Sequence, residues 1–368
     1  MKICYISNSA APSMNASSLQ TSQLCESLSK LGHEVKLILP DTGYEKDYFK
    51  YYRIKKKFEI KRLKFFKTFP VGINYYLFSF FSVFVSETKK NDFYITRNFF
   101  TSLILSILKK KHILEIHDDI NIEGRIVQFL VKNLKILNLR YVNKIITTTH
   151  ALKKAYVTKY KVYSYKIQVL HNASSLKPRF KASSKVKKKL NIGYFGSLFK
   201  SRGINLIIKL SNLDKNNQYF IYGGSKEQIN ILKKKYKNKN LNLSPYVPYS
   251  QIEKKINKID LCLLPYTSKI TVSGNVGDIS QYTSPLKIFD YMITGKLIVC
   301  SNLKVIREIL KDKKNSLLIK EYEKSENWLR IIKVISSNYS KYDKIRLNAH
   351  KYAKKYNINW RINKLLLF

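Results

Sequence analysis

Residues 280–301 read SQYTSPLKIFDYMITGKLIVCS, and this stretch predicts a capped helix followed by a strand. Ser284 is a common type of N-cap residue, Pro285 suits the first helical turn, and Gly295 can end the helix. The apolar run at 297–300 then predicts a buried strand. A strand reached directly from a helix is typical of α/β domains.

The start of this predicted helix is a candidate anion site. Free N–H groups and the positive end of the helix dipole favour a phosphate there, and Lys287 in the first turn adds a full charge. Asp290, further along the helix, can accept two hydroxyl hydrogen bonds, as a nucleotide ribose requires. A helix that merely begins with a good cap explains the same residues without any ligand.

The length of the chain and its repeated strand–helix pattern predict two domains. A chain of 368 residues exceeds one ordinary hydrophobic core. Residues 2–39 alternate strand, helix and strand, and a second strand–helix unit begins at 190–213. The loop at 7–13 lacks the glycines of a dinucleotide fingerprint, which argues against a dehydrogenase.

The cysteines and the start of the chain indicate a reducing compartment. The chain has four cysteines without a CxxC pair, all in apolar patterns: Cys4, Cys25, Cys262 and Cys300. We expect them to be small buried side chains rather than disulfides or zinc ligands. The segment MKICYISNS has no long apolar core of a signal peptide, so a cytoplasmic location is expected.

The chain is strongly basic, with 69 Lys and Arg against 24 Asp and Glu. Residues 45–67 hold ten Lys or Arg against three acids, interleaved with Tyr and Phe. The apolar, aromatic segment 69–85 follows and is marginal in length for a membrane span. Together they predict contact with an anionic membrane surface. A solvated charge run beside a buried helix, or RNA binding without a recognisable motif, are the alternatives.

The stretch SPLKIFDYMITGKLIVCS at 284–301 resembles the donor-binding element SPLK(I/L)FEYMAxGKP(I/V)VxS of the retaining glycosyltransferases of family 4, whose fold is called GT-B. The resemblance implies that the helix start holds a nucleotide-sugar diphosphate and that Asp290 holds the ribose. Asp290 stands where the family has a Glu. Tyr282 stands where the family has a second Glu that contacts the transferred sugar. The donor-binding residues implied at the helix start are Ser284, Pro285, Leu286 and Lys287.

The segment 190–203, LNIGYFGSLFKSRG, resembles the family's loop GR(L/M)xxxKG. Ser197 stands in place of the first Arg, and Arg202 in place of the Lys. The resemblance implies that Arg202 and Lys287 stabilise the diphosphate leaving group beside Gly196 and Ser197, with Lys200 as a possible substitute for the missing cation. A solvated cation pair is the alternative reading of these residues.

The loop before the SPLK stretch and the first half of the chain contribute further candidates. Gly274 and Gly277, with Tyr282, are expected to meet the donor sugar. The strand ending in His117 and Asp118 resembles the one that carries the family's active-site His, which hydrogen-bonds the transferred sugar. The segment around Arg97 resembles another of the family's strand ends, near the cleft. A His paired structurally with a neighbouring aspartate is the alternative.

The resemblance covers nearly the whole chain and implies two Rossmann-like α/β domains facing across a cleft. The implied parts are an N-terminal acceptor-side domain at 1–172, a linker at 173–189, a nucleotide-sugar-binding domain at 190–345, and a C-terminal helix at 346–368 that packs back on the N-terminal domain.

The implied activity is retaining transfer of a sugar, such as a hexose, from a nucleotide sugar to a lipid-linked or saccharide acceptor. Such chemistry serves bacterial surface polysaccharide or lipopolysaccharide synthesis on the inner face of the cytoplasmic membrane. Neither a metal nor a cofactor is expected, and no nucleic-acid partner. The alternatives are a nucleotide-sugar epimerase of the same fold and a non-catalytic basic protein that binds membrane or RNA.

Overall fold

The chain divides into two compact units in a computed structural model. Unit 1 comprises residues 1–171 and 358–368, and unit 2 comprises residues 172–357. The predicted linker and residues 346–357 of the predicted C-terminal segment both belong to unit 2. The residues that the structure describes are 1–41, 43, 47–64, 70–87, 91–183, 189–271 and 277–367.

Unit 1 contains, among the described residues, a seven-stranded parallel sheet in the order β3-β2-β1-β4-β5-β6-β7. Its elements in chain order are β1 (Lys2–Ile6), α1 (Ala16–Lys30), β2 (Glu34–Asp41), α2 (Tyr48–Tyr52), β3 (Glu59–Lys64), α3 (Val71–Ser86), β4 (Phe93–Thr96), α4 (Phe99–Ile107), β5 (His112–Ile116), α5 (Arg125–Lys132), β6 (Val142–Thr147), α6 (His150–Thr158) and β7 (Ile167–Val169). The strand order reverses between β1 and β4, so ligands are expected at the carboxyl ends of these strands.

Unit 2 contains, within the described part of the chain, a six-stranded parallel sheet in the order β10-β9-β8-β11-β12-β13. Its elements are β8 (Asn191–Phe195), α7 (Ile204–Leu213), β9 (Gln218–Tyr222), α8 (Lys226–Lys235), β10 (Leu241–Ser244), α9 (Tyr249–Ile256), β11 (Leu261–Leu264), α10 (Leu286–Ile293), β12 (Leu297–Ser301), β13 (Leu317–Ile319), α11 (Ser325–Ser337) and α12 (Asp343–Lys355). The order reverses between β8 and β11. Both strands are almost fully buried, which explains their near-continuous apolar sequences.

The end of the chain corrects one prediction. The sequence predicts a single C-terminal helix at 346–368, but the structure has a break at Tyr356 and Asn357. The helix α12 therefore ends before the break, and a separate helix α13 (Ile358–Leu366) belongs to unit 1.

The helix α3 has an unusual distribution of side chains. Its buried side is lined by Ser79, Ser82 and Ser86, each 0% exposed, whereas Phe80 and Phe84 are 47% and 50% exposed. The serine hydroxyls are satisfied because they donate to carbonyl oxygens of the helix itself. Apolar side chains of this helix therefore lie on both sides of it, some in the core of unit 1 and the two phenylalanines on the outward face. Among the described residues, no helix is long and apolar enough to cross a membrane.

Candidate active site

The reversal of strand order in unit 2 places two loops side by side at the carboxyl ends of β8 and β11. The loop after β8 contains Gly203, whose backbone has a φ of +71°. A Cβ atom there would lie 1.8 Å from the carbonyl oxygen of Pro265, which follows β11. Only glycine allows this approach, so the loop that carries Arg202 is held against the end of β11.

Lys287 and Arg202 meet at this edge of the sheet around the ring of Tyr266. The Lys287 Nζ atom lies 5.8 Å from the ring centroid and the Arg202 guanidinium carbon lies 5.4 Å from it. Lys287 also lies 4.3 Å above the ring of Tyr194 and donates to its hydroxyl at 3.2 Å. The sequence prediction that these two cations act together is consistent with this arrangement, but it did not include either tyrosine.

The cation pair is not neutralised by the part of the chain that the structure describes. Neither Lys287 nor Arg202 forms a salt bridge there, and Arg202 donates to the carbonyl oxygen of Thr271 at 3.1 Å. Burial, together with the charge of Arg202, holds the pKa of Lys287 well below its usual value. An anion placed between the two cations would offset both effects, so the arrangement is chemically suited to a phosphate group.

Gly196 leaves room for the Lys287 side chain. A Cβ atom at Gly196 would lie 2.3 Å from Lys287 Nζ, and the glycine has a φ of +144°. Its N–H donates to the carbonyl oxygen of Tyr222 at 2.9 Å, which joins the ends of β8 and β9. Glycine suits this position because of its positive φ and the space that it leaves for the lysine, while its predicted place beside a diphosphate stays a prediction.

The start of α10 differs from the prediction by one residue. The sequence places Ser284 at the N-cap and Pro285 inside the helix, but Pro285 occupies the N-cap position and no side chain caps the helix. The Ser284 hydroxyl is buried without a hydrogen-bond partner among the described residues, and its carbonyl accepts from Asn172 at 2.6 Å. Lys287 still falls in the first turn, directly after Leu286.

The end of α10 agrees with the prediction. Gly295 adopts a φ of +64°, and its N–H donates to the carbonyl of Met292 at 3.0 Å. The next N–H, that of Lys296, donates to the carbonyl of Tyr291 at 3.0 Å. This pair of bonds is the Schellman arrangement that glycine favours at a helix end.

Asp290 is 3% exposed and is engaged by two hydroxyl groups of unit 2. Its Oδ1 atom accepts from Ser174 Oγ at 2.5 Å and from the Tyr249 hydroxyl at 2.9 Å. Burial raises the pKa of this carboxyl to about 6, although both hydroxyls lower it. Asp290 thus accepts two hydroxyl hydrogen bonds in this structure, and both come from the protein. The predicted contact with a ribose stays a prediction.

The remaining residues of unit 2 that the sequence predicts for the donor site are Lys200, Ser197, Tyr282, Gly277 and Gly274. Lys200 is exposed, and the Ser197 carbonyl accepts from the Tyr194 hydroxyl at 2.8 Å. Tyr282 is 7% exposed in the turn before α10. Gly277 has a φ of +66°, whereas Gly274 lies outside the described residues. The predicted donor-sugar roles of this loop remain predictions.

In unit 1, His117 follows β5 and is held by Arg97, which follows β4. Arg97 donates to Nε2 of His117 at 2.6 Å and to the Gln20 side chain at 3.0 Å. The Arg97 Nε atom lies 3.4 Å from a carboxylate oxygen of Glu115, which is 2% exposed. Among the described residues, the hydrogen-bond partner of His117 Nε2 is this arginine.

Glu115 connects β5 to the last helix of the chain. Its Oε1 atom accepts a hydrogen bond from Arg361 of α13 at 2.9 Å. Its Oε2 atom, which faces Arg97, accepts a hydrogen bond from the Tyr5 hydroxyl at 2.9 Å. Burial alone would raise the pKa of Glu115, but Arg361 and Arg97 outweigh it and hold this pKa well below its usual range. The carboxylate is ionised and paired with two cations.

Sequence reasoning missed several of these residues. Tyr194 is the penultimate residue of β8 and Tyr266 follows β11, so a position near the carboxyl end of a buried strand was the signal that could have found them. Ser174, Tyr249 and Glu115 carried no motif, and Arg361 lies 246 positions from its partner. Among the described residues, no cluster of three His, Cys, Asp or Glu side chains has the arrangement of a metal site.

Comparison with protein families assigns the chain. The family described as "Glycosyl transferases group 1" matches residues 177–356, and "Glycosyltransferase Family 4" matches residues 19–176. The chain belongs to the group 1 glycosyltransferases of family 4. The two matches together include Arg97 and His117 in the first half of this glycosyltransferase and all of its cation site in the second.

Solved structures confirm the predicted GT-B fold of this glycosyltransferase. Anabaena Alr3699/HepE in complex with UDP is 14% identical and has a TM-score of 0.74, over 100% of this chain and 98% of that chain. A glycosyltransferase from Rickettsia africae ESF-5 is 13% identical, with a TM-score of 0.71 over 99% and 97%. WaaG, a glycosyltransferase involved in lipopolysaccharide biosynthesis, is 12% identical, with a TM-score of 0.66 over 99% and 98%. No curated protein matches the sequence.

Proposed function

We propose that this glycosyltransferase transfers a sugar from a nucleotide sugar to an acceptor hydroxyl with retention of configuration. The observation that carries this proposal is the pair of cations, Lys287 and Arg202, held between tyrosine rings without a salt bridge in the described chain. A diphosphate leaving group needs such charge neutralisation, and N–H groups at the start of α10 add to it.

In the proposed transfer step, the cations act on the leaving group and the histidine acts on the sugar. The bond between the anomeric carbon and the diphosphate oxygen breaks while the acceptor oxygen bonds the same face of the sugar. Lys287 and Arg202 stabilise the departing diphosphate, which takes the proton of the acceptor hydroxyl, and no protein base is required. His117 holds the transferred sugar. No metal or cofactor takes part in this scheme.

Asp290 holds the ribose in this proposal. Its Oδ1 atom already accepts from Ser174 and Tyr249, so ribose hydroxyls either join or replace these two donors. The neighbouring structures of Alr3699/HepE were obtained with UDP and with UDP-glucose, which supports a nucleotide sugar as the donor class. Gly196, Ser197 and the turn carrying Tyr282 complete the proposed donor site.

The test is thermal denaturation of the purified enzyme with a panel of nucleoside diphosphates and nucleotide sugars. We expect the nucleotides that carry one particular nucleobase to raise the melting temperature, both with magnesium and with a chelator. A ligand at about 100 times its dissociation constant adds about 2.7 kcal/mol to the free energy of unfolding. If no member of the panel stabilises the enzyme, the proposal is wrong. Turnover of the nucleotide sugar with inversion at C2, in the absence of an acceptor, would identify an epimerase instead.

A second observation supports an acceptor at an anionic membrane surface. The outward face of α3 carries Phe80, Phe81 and Phe84, which are 45–50% exposed. The helix packs against β3, whose Lys61 and Lys64 are exposed. Aromatic side chains beside cations suit the boundary between lipid headgroups and acyl chains. We therefore propose a lipid-linked acceptor in surface polysaccharide or lipopolysaccharide synthesis, reached from the cytoplasmic side.

Vesicle sedimentation tests this surface. We expect binding to vesicles of phosphatidylglycerol and phosphatidylethanolamine, and weak binding to phosphatidylcholine. Replacing Phe80 and Phe84 together by Ser should weaken binding at least about tenfold, since each buried phenylalanine contributes about 1.5–3 kcal/mol when fully removed from water. Ile231→Ser, which changes a 65% exposed side chain in unit 2, is the control. Equal binding of all variants would contradict the proposal.

A further inference from the structure

The hydrogen bond between Arg97 and His117 determines which nitrogen of the imidazole carries the proton. An arginine side chain has five N–H donors and no acceptor, so His117 Nε2 must accept in the 2.6 Å contact with Arg97. The proton of the neutral ring is therefore on Nδ1. Within the described chain no group bonds Nδ1, and the half-buried ring leaves this N–H for a ligand.

Arg97 is itself fixed at several points. It donates to the Ser17 carbonyl at 3.2 Å and to the Gln20 side chain at 3.0 Å, and both acceptors belong to α1. On its other side it faces Glu115, which is held in turn by Arg361. A guanidinium fixed in this way cannot rotate away from His117 without breaking these contacts.

We propose that Arg97 is a positioning residue that holds His117 as the Nδ1–H tautomer, so that His117 donates a hydrogen bond to the transferred sugar. This inference rests on the proposed function for the role of the sugar, but the tautomer itself does not. Glu115 and Arg361 act through Arg97, which makes the last helix a structural support of the donor-sugar contact.

The charges around His117 are consistent with a neutral ring. The charged groups that reach it are Arg97 after β4, Glu115 on β5 and Arg361 on α13. Burial and Arg97 lower the pKa of His117 well below its usual value, and Arg361 lowers it further, whereas Glu115 raises it. Two cations against one carboxylate favour the uncharged imidazole at neutral pH.

The first test is NMR of the full enzyme labelled with ¹⁵N-histidine, which separates the two neutral tautomers by their ¹H–¹⁵N coupling patterns. His117→Gln assigns the signal. His112 is an internal reference, because its Nδ1 donates to the Lys110 carbonyl at 2.9 Å. We expect the Nδ1–H pattern for His117 across neutral pH. An Nε2–H pattern in the wild-type enzyme would overturn the proposal.

Variants separate positioning from general stability. In Arg97→Gln we expect a mixture of tautomers and a titration midpoint of His117 at higher pH, because a cation is lost and Glu115 remains. Arg97→Lys keeps a charge for Glu115 but cannot make all four contacts, so a mixture is expected there too, should Arg97→Gln fail to fold. Arg62→Gln, which removes a bond to the Ala11 carbonyl, should leave His117 unchanged. An unchanged His117 spectrum in both Arg97 variants would refute the inference.

Binding provides the second readout. The ligands are the nucleotide sugar with the largest thermal shift in the panel and its nucleoside diphosphate. We expect Arg97→Gln to bind the nucleotide sugar about tenfold more weakly, the loss expected for one hydrogen bond, and the nucleoside diphosphate unchanged. Equal losses for both ligands would overturn the sugar contact. A panel without any binding would refute the proposed function and leave the NMR result to decide the tautomer.

Discussion

Replacing Lys287 by Met should lower kcat/KM about 1,000-fold and leave the fold intact. A donor aimed at a developing negative charge contributes about 100- to 1,000-fold to kcat, and here the donor also carries a full charge. The same substitution should not lower the melting temperature of the free enzyme. It removes a cation that is partly buried beside Arg202 and has no carboxylate partner among the described residues.

The pH dependence of stability gives the same prediction a second measurement. The pKa of Lys287 is lowered in the folded chain, so the unfolded chain binds that proton more tightly. The free energy of unfolding therefore rises with pH while Lys287 loses its proton, and Lys287→Met removes this contribution. The matched control is Lys200→Met, because Lys200 is exposed. The kcat/KM of this variant should stay within about threefold of the wild-type value. Equal losses in both variants would contradict the assignment.

Replacing Glu115 by Ala should destabilise the enzyme by about 3–5 kcal/mol, the cost of removing one partner from a buried ion pair. The substitution leaves Arg97 and Arg361 facing each other without a counter-charge in the interior of unit 1. We expect a lower melting temperature and earlier unfolding in urea. Because the pKa of Glu115 lies well below its usual range, its stabilising contribution is complete at neutral pH and disappears only in strong acid.

Two further substitutions separate charge from packing at this position. Glu115→Gln keeps the shape and an acceptor for Tyr5 but removes the charge, so most of the destabilisation should remain. Glu34→Ala breaks a pair on the surface of the same unit, where Glu34 and Lys2 are 63% and 54% exposed at 4.0 Å. That change should have little effect. A small effect of both Glu115 variants would show that the two arginines find other partners.

The elements around residue 290 were predictable from the sequence because each signal is local. The apolar period, Gly295 and the run after it predict a helix and a strand, and α10 and β12 lie there. Ser284 was placed one position too far into the helix because Ser-Pro suits a cap in general. In this chain Pro285 takes the N-cap, and the serine side chain is buried beside it.

The contacts of the candidate site were not predictable, since they join residues far apart in the chain. Asp290 accepts from Ser174, 116 positions away, and Arg97 reaches His117 only because β4 and β5 are neighbours in the sheet. The sequence also indicated an apolar helix near residue 80 without showing which face is outward. Serines can face the interior there because their hydroxyls donate hydrogen bonds to carbonyl oxygens of the same helix. The spacing of hydrophobic residues in the sequence does not indicate this.

The position of β3 has a consequence for the enzyme in concentrated solution. Within the described part of the chain this strand is at one edge of the seven-stranded sheet, where unpaired N–H and C=O groups allow another copy to add a strand. Its sequence EIKRLK places Lys61, Arg62 and Lys64 along that edge. Two such edges repel each other at distances within about 10 Å at 0.1 M salt. The basic residues therefore protect from aggregation a chain that also exposes phenylalanines, so the same positive charge that suits an anionic surface also keeps copies of the chain apart.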